Sequence, residues 1–177
     1  KEFNRNAYQE KMYRNQNRLE FHRLIENEQV DYHFQPIFDG KTGEPFAYEA
    51  LMRVDFSTLK SPETVLKLAR EEGRMHDIER ITMFRASEIY CELLEKKLVS
   101  DTTLLFLNSI ASERMTEQEE REYHQRFAHI QSRVVVEITE AEHMDLELVD
   151  KKKEVEGFSG MFALDDYGRG YNSEINL

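Results

Sequence analysis

The sequence predicts an incomplete α/β barrel, and three observations support this fold class. Apolar runs of strand length alternate with segments of helical periodicity, which indicates parallel strands with helices packed outside them. Each predicted strand from the second onward carries an oxygen-donating side chain at or near its end, where α/β barrels keep their chemistry. The chain has 177 residues, whereas a complete eight-unit barrel needs about 250. We therefore expect about five of the eight strands.

Charge and cysteine content limit the possible functions. Lys and Arg number 24 against 35 Asp and Glu, a net charge of -11, so we expect no surface for a nucleic-acid polymer. A small anionic ligand is compatible, because bound divalent cations reverse the local sign of an acidic pocket. Cys91 is the single cysteine, which predicts no disulfide and a reducing, cytoplasmic setting. No run of 18 apolar residues occurs, although the parent protein could still be membrane-anchored.

The first 30 residues differ in character from the rest. They are polar and charged, with a thin apolar face and neither proline nor glycine, which predicts a helix. Such a helix either connects to an upstream domain or covers the barrel. We favour a helical connector over residues 1–30, followed by the partial barrel over residues 31–177. Because the chain opens at Lys1 without an initiator methionine, we expect it to be part of a longer protein.

The barrel segment begins with two predicted strands joined by a glycine-containing turn, which is a hairpin pattern. Pro36 in the first strand predicts an edge position. Glu49 stands in the second strand among apolar residues, and a buried carboxylate is costly unless it is paired or bound to a ligand. Arg53 projects to the same side of the strand. Two interpretations follow, a buried ion pair between Glu49 and Arg53 or a functional carboxylate.

The remaining elements alternate as a barrel requires. Capping signals at Ser61-Pro62 and at Thr116, and a glycine end signal at Gly73, mark helix boundaries. The predicted elements are two helices over 62–98, a strand over 104–109, a helix over 116–130, a strand over 133–140, a helix over 144–156 and a strand that stops at Asp165.

Two adjacent aspartates, Asp165 and Asp166, follow the last apolar run. They repel each other unless a cation lies between them or one side chain caps the next element. The strand ends of a parallel barrel converge, so the oxygen donors gather on one face. Carboxylates and an amide, without Cys or His, are ligands of Mg²⁺ or Mn²⁺ rather than zinc. Two such cations serve attack of water on phosphodiesters. The donors are Glu49, Asn108, Glu137, Asp165 and Asp166.

Five motifs in register resemble the EAL domain family of bacterial cyclic-di-GMP phosphodiesterases, along residues 31–177. They are Phe34-Gln35-Pro36-Ile37, Glu49-Ala50-Leu51 with Met52-Arg53, Phe106-Leu107-Asn108, Glu137-Ile138-Thr139-Glu140 and Asp165-Asp166-Tyr167-Gly168-Arg169-Gly170. The resemblance implies a modified (β/α)8 barrel of the TIM type. It also implies signal transduction by hydrolysis of cyclic di-GMP to linear pGpG, through water activated by one or two Mg²⁺ or Mn²⁺ ions.

The resemblance also implies roles for individual residues. Glu49, Asn108, Glu137 and Asp165 correspond to metal ligands, and Asp166 to the ligand of a second metal; Glu49 and Asp166 count as catalytic. Gln35, Leu51 and Arg53 correspond to substrate-binding residues, Arg53 through phosphate. Glu140 corresponds to a residue that holds the loop after Asp166, with Asn172 as its partner.

The sequence departs from the family pattern at several positions, and these departures bear on whether the chain is active. Val54 stands where the family usually has Trp, and Asn172 replaces a hydroxyl, although an amide still donates to a carboxylate. The family's water-activating lysine follows a later strand and is not in this chain. We therefore expect the 177 residues to be inactive alone. They would either self-associate, for example as a homodimer, or form part of a longer protein with an upstream sensory or cyclase domain.

Two other functions are compatible with the same residues. Some family members lose turnover and act as cyclic-di-GMP receptors or protein-interaction modules. The intact set of metal ligands favours the enzyme over this alternative, since a receptor need not keep every ligand of a catalytic metal. A barrel phosphodiesterase for another nucleotide is permitted by fold alone and ranks below both.

Overall fold

A five-stranded sheet in the order β1-β2-β3-β4-β5 organises the chain. The computed structural model describes residues 5–139 and 161–165. Within them the elements are α1 (Arg5–Asn27), β1 (Asp31–Phe38), β2 (Pro45–Arg53), α2 (Pro62–Glu72), α3 (Met75–Glu95), β3 (Leu104–Ser109), α4 (Glu117–Phe127), a 3-10 turn (Gln131–Arg133), β4 (Val134–Thr139) and β5 (Met161–Asp165).

The strand pairing confirms the predicted hairpin and the parallel packing. β1 runs antiparallel to β2, and β2, β3, β4 and β5 are mutually parallel. β1 lies at one edge of the described sheet, where Pro36 removes no ladder hydrogen bond from a second neighbour. The register shifts between Ile37 and Phe38, so the strand becomes irregular close to the proline. The carboxyl ends of four parallel strands therefore meet at one rim of the sheet.

The helix boundaries follow the capping chemistry that the sequence predicts. Ser61 accepts a hydrogen bond at its Oγ from the Thr64 amide (3.3 Å), with proline at the next position. Gly73 ends α2 with φ of +66°, a conformation that side chains disfavour. Thr116 and Glu119 form a reciprocal capping box at the start of α4. α4 itself ends at Phe127, three residues before the predicted end, because a 3-10 turn then leads into β4.

The outer face of the sheet forms the hydrophobic core against α3 and its neighbours. Strand residues alternate between faces, and the outward ones are buried, including Ala50, Leu105, Leu107, Val134, Val136 and Ile138. Tyr32 of β1 donates its hydroxyl hydrogen to Thr82 of α3 (3.0 Å). Tyr90 of α3 donates to the Thr103 carbonyl (2.9 Å) just before β3. These contacts fix α3 against the sheet and leave the opposite face to the functional side chains.

The predicted N-terminal helix is present as α1. Its second half packs on the domain through Phe21, Leu24 and Ile25, which are buried, whereas residues 5–15 are all exposed. The role of connector stays a prediction. Cys91 is half-buried, with Sγ 3.5 Å from Nε2 of His129. The helix predicted over 144–156 lies outside the described residues, and no described helix is long and apolar enough to cross a membrane.

Candidate functional site

The inner face of the sheet carries the side chains that the sequence singles out. Glu49 pairs in register with Gln35 on β1 and with Phe106 on β3. Asn108 pairs with Glu137 on β4. Paired residues of neighbouring strands lie on the same face, and adjacent strands are about 4.8 Å apart. Residues from four strands therefore lie on one face, toward the carboxyl ends of the parallel strands.

Glu49 and Asn108 are in direct contact. The Nδ2 amide of Asn108 donates a hydrogen bond to Oε1 of Glu49, at 2.9 Å. Both side chains are half-buried, so they are partly desolvated without belonging to the core. Because the amide nitrogen points to the carboxylate, the carbonyl oxygen of Asn108 and the second oxygen of Glu49 keep lone pairs that suit a hard cation. The structure thus joins two of the five predicted metal ligands, which lie 59 residues apart in the chain.

Of the other three predicted metal ligands, Glu137 and Asp165 lie within the described residues and Asp166 lies outside them. Glu137 is half-buried and its backbone pairs with Asn108 and Ala163. Asp165 ends β5, and its backbone pairs with Thr139 at the end of β4. Asp166, Glu140 and Asn172 lie outside the described residues. Within the described part of the chain, no three His, Cys, Asp or Glu side chains form a metal-binding group.

The predicted alternative of an ion pair between Glu49 and Arg53 is wrong. Arg53 donates from Nε to Nδ1 of His33 (3.2 Å) and from Nη1 to the Met52 carbonyl (2.8 Å), while Glu49 holds Asn108. The physical reason is distance, because residues four apart on an extended strand are about 13 Å apart. No local sequence pattern indicates this role for His33. The hairpin register, which pairs His33 with Leu51, makes it the diagonal neighbour of Arg53.

An open cleft of about 830 Å³ lies beside Arg53 and His33. The end of α1, the start of β1, the loop after β2 and the middle of α3 line it. Arg85 on the α3 wall pairs with Glu88 at 3.0 Å, whereas Arg53 is exposed at the rim. Gln35 is exposed on β1 and Leu51 half-buried on β2. The three predicted substrate-binding residues therefore lie on adjacent strands, with the guanidinium of Arg53 facing open space.

Two buried glutamates lie near the site, and no local sequence pattern distinguishes them from exposed ones. Glu20 of α1 is 3% exposed and accepts hydrogen bonds from the loop after β2, including the Thr58 and Leu59 amides at 3.0 and 2.8 Å. Burial alone would raise the pKa of Glu20, but its hydrogen bonds hold that pKa well below the usual range. Glu79 of α3, also 3% exposed, accepts hydrogen bonds from Ser109, the last residue of β3, and from the Ile110 amide.

One domain family matches most of the chain. The model of the EAL domain matches residues 18–177. The chain belongs to the EAL domain family. The EAL match begins inside α1 rather than at residue 31, and it covers every motif on which the resemblance rests. No curated protein is significantly similar to the chain in sequence.

Solved EAL structures share the fold of this chain. PaMucR phosphodiesterase, in a c-di-GMP complex, has a TM-score of 0.69 and 20% identity, over 92% of this chain and 68% of that one. A standalone EAL protein from Vibrio cholerae O395, in a c-di-GMP-bound form, has a TM-score of 0.59 and 21% identity, over 84% and 62%. Apo Vibrio cholerae LapD, with S helix, GGDEF and EAL parts, has a TM-score of 0.63 and 16% identity, over 88% and 38%.

At 16–21% identity, the similarity to these solved structures concerns the fold alone. They confirm the prediction of an incomplete, modified (β/α)8 barrel of the TIM type, whose first five strands the described residues contain. The chain spans only 38% of the LapD chain and about two thirds of the PaMucR chain. The described sheet therefore corresponds to one part of the barrel wall, with β1 and β5 as its outermost described strands.

Proposed function

We propose that this EAL domain hydrolyses cyclic di-GMP to linear pGpG in signal transduction. The observation that carries the proposal is the hydrogen bond between Asn108 and Glu49, on the face that also bears Glu137. Asn108 is next to the last residue of β3, and the carboxyl ends of parallel strands are where α/β barrels carry out their reactions. Membership of a family that hydrolyses or binds cyclic di-GMP supports the same conclusion.

The donor chemistry fits one or two Mg²⁺ or Mn²⁺ ions. Carboxylate and amide oxygens are the ligands that these hard cations prefer, and Asn108 keeps its carbonyl oxygen for one of them while its nitrogen binds Glu49. We propose that the first cation takes Glu49, Asn108, Glu137 and Asp165, and that Asp166 belongs to the second. When bound, divalent cations supply positive charge at the developing transition state and acidify water at neutral pH.

The chain's own residues would bind and orient the dinucleotide. Arg53 presents its guanidinium at the rim of the cleft, and a guanidinium binds phosphate through two parallel hydrogen bonds. His33 accepts from Nε of Arg53 and the Met52 carbonyl accepts from Nη1, which leaves Nη2 and the second hydrogen of Nη1 for a ligand. Gln35 and Leu51 lie on the neighbouring strand positions and would contact the rest of the substrate. Glu140 and Asn172 would hold the loop after Asp166.

We further propose the wider setting of the domain. The exposed first turns of α1 suit a connector over residues 1–30 that links a sensory or cyclase domain to the barrel. LapD combines GGDEF and EAL parts in one chain, which is an arrangement of this type. The acidic charge favours a small anionic ligand over a nucleic-acid polymer. We also propose that the domain is located in the cytoplasm and that it self-associates as a homodimer.

Product analysis tests the proposed reaction. The full-length protein is incubated with cyclic di-GMP and Mg²⁺, and the nucleotides are separated by chromatography. We expect linear pGpG to form, and its formation to stop when EDTA removes the cations. Binding of cyclic di-GMP without any product would instead identify a receptor, the alternative function that some family members have. Absence of both binding and product would contradict the assignment to this ligand.

A further inference from the structure

Glu79 is a buried carboxylate that the proposed reaction does not use. It lies near the start of α3, on the outer side of the sheet, and only 3% of its surface is exposed. Its Oε1 accepts a hydrogen bond from the Ser109 hydroxyl (2.6 Å), and its Oε2 accepts one from the Ile110 amide (2.8 Å). Burying a carboxylate costs free energy unless such donors satisfy it. A helical glutamate in this position therefore binds the backbone that follows β3.

The two residues that Glu79 holds come directly after Asn108. Successive strand residues point to opposite faces, so the Ser109 side chain points outward to α3 when Asn108 points inward to Glu49. A second bond to the next amide fixes the backbone as the strand ends. Because Glu79 holds the chain at residues 109 and 110, the Asn108 side chain has little freedom to rotate about the strand axis.

We propose that Glu79 is the positioning residue for Asn108, and through it for the divalent cation of the proposed function, on which this inference rests. Glu79 lies on α3, on the outer side of the sheet. It acts across the strand, by holding the outward Ser109 and the Ile110 amide so that the inward amide of Asn108 meets Glu49. Residues that orient metal ligands in this way typically contribute 10- to 100-fold to metal affinity.

The test compares two substitutions of Glu79 with one control substitution of Glu20. Glu79→Gln keeps an acceptor for the Ile110 amide and places a donor on Ser109, so it should preserve part of the function, whereas Glu79→Ala removes both bonds. Glu20→Gln serves as the control, because Glu20 is equally buried and also holds a loop after a site strand, but it is the loop after β2. Replacing the buried carboxylate lowers stability at either position, so stability alone does not distinguish the Glu79 variants from Glu20→Gln.

The experiment uses the full-length protein with two readouts. Without metal, we record the side-chain amide NMR signals of Asn108 in ¹⁵N-asparagine-labelled protein, assigned by their loss in Asn108→Ala. With metal, we measure Mn²⁺ affinity by calorimetry. We expect Glu79→Ala to move the Asn108 signals and to weaken Mn²⁺ binding at least about 10-fold. Glu79→Gln should give a smaller change of both, and Glu20→Gln should change neither.

Distinct outcomes separate this inference from the proposed function. Unmoved Asn108 signals in Glu79→Ala, or equal changes in Glu20→Gln, would overturn the role of Glu79. If Glu79→Ala does not fold, Ser109→Ala replaces it, because that variant removes one of the two bonds and should still move the Asn108 signals; no movement would overturn the inference. Absence of Mn²⁺ binding by the wild-type protein would overturn the proposed metal site, while the NMR readout would still decide on positioning.

Discussion

Leu107 and Asn108 are neighbours on β3, yet they belong to regions with different physical properties. Leu107 points outward into the core and is fully buried, whereas Asn108 points inward, is half-buried and holds Glu49. The same alternation separates the two faces along β2 and β4. The difference indicates that the outer face supplies most of the stability and the inner face most of the chemistry. Substitutions of apolar core residues on the outer face should therefore leave the chemistry of the inner face largely unchanged, whereas Glu79 and Ser109 are exceptions because they hold the end of β3 itself.

The largest expected effect lies on the inner face, at Glu49. Glu49→Gln removes a proposed metal ligand but keeps an acceptor for the Asn108 amide, so the fold should persist. A catalytic metal contributes several kcal/mol to transition-state stabilisation, and we expect the rate of cyclic-di-GMP hydrolysis to fall at least about 100-fold. The measurement is pGpG formation by the full-length protein, with thermal unfolding of both proteins as a check on folding.

Met52 provides the matched control on the same strand. It lies on the outer face and packs against the core. Met52→Leu conserves volume and should cost less than about 1.5 kcal/mol of stability, with the hydrolysis rate unchanged. A rate loss in Met52→Leu as large as in Glu49→Gln would contradict the separation of the two faces.

The second effect lies on the outer face, at Leu107. Leu107→Ala deletes a fully buried side chain and leaves a cavity, so the free energy of unfolding should fall by about 2–5 kcal/mol. By comparison, Asn108→Ala removes one partly exposed hydrogen bond and should cost about 0.5–1.5 kcal/mol. Urea unfolding of both variants checks the order. A larger loss in Asn108→Ala would mean that the inner face contributes more to stability than we infer.

A smaller effect concerns Glu20, which links α1 to the loop after β2. Hydrogen bonds hold the pKa of Glu20 below its ordinary value of 4.5, against the opposing effect of burial. A carboxylate with a lowered pKa in the folded state adds stability above pH 4.5, and this contribution is lost as the pH falls further below that value. The unfolding free energies of wild type and Glu20→Gln should therefore differ most above about pH 5 and converge toward pH 3. A constant difference across this range would contradict the assignment.

Much of the fold could be predicted because its signals are local. The hairpin, the edge position of Pro36, the capping box at Thr116 and the glycine at the end of α2 each depend on a few adjacent residues. The contact of Glu49 with Asn108 was also predictable in outline, because parallel strand ends converge. The family motifs added the roles of these residues, and those roles stay proposals.

The rest of the site could not be predicted from local patterns. Glu20 and Glu79 stand in charged helices, where a glutamate ordinarily faces solvent. The loop residues that bind Glu20 lie 37 to 39 residues away, and Ser109 and Ile110 lie 30 and 31 residues from Glu79. The contact of Arg53 with His33 depends on the hairpin register. Glu49 and Arg53 project to the same side of β2, but residues four apart on a strand are about 13 Å apart, so the expected ion pair does not form. Only the assembled fold gives these distances.

The most direct test of the metal site is the Mn²⁺ affinity of the full-length protein and its Asn108→Ala variant, measured by calorimetry. Leu107→Ala serves as the outer-face control, at a temperature where all three proteins are folded. We expect the wild type and Leu107→Ala to bind Mn²⁺ with similar affinity, and Asn108→Ala to bind at least about 10-fold more weakly. Equal affinities in the wild type and Asn108→Ala would contradict the assignment of the inner face as the cation site.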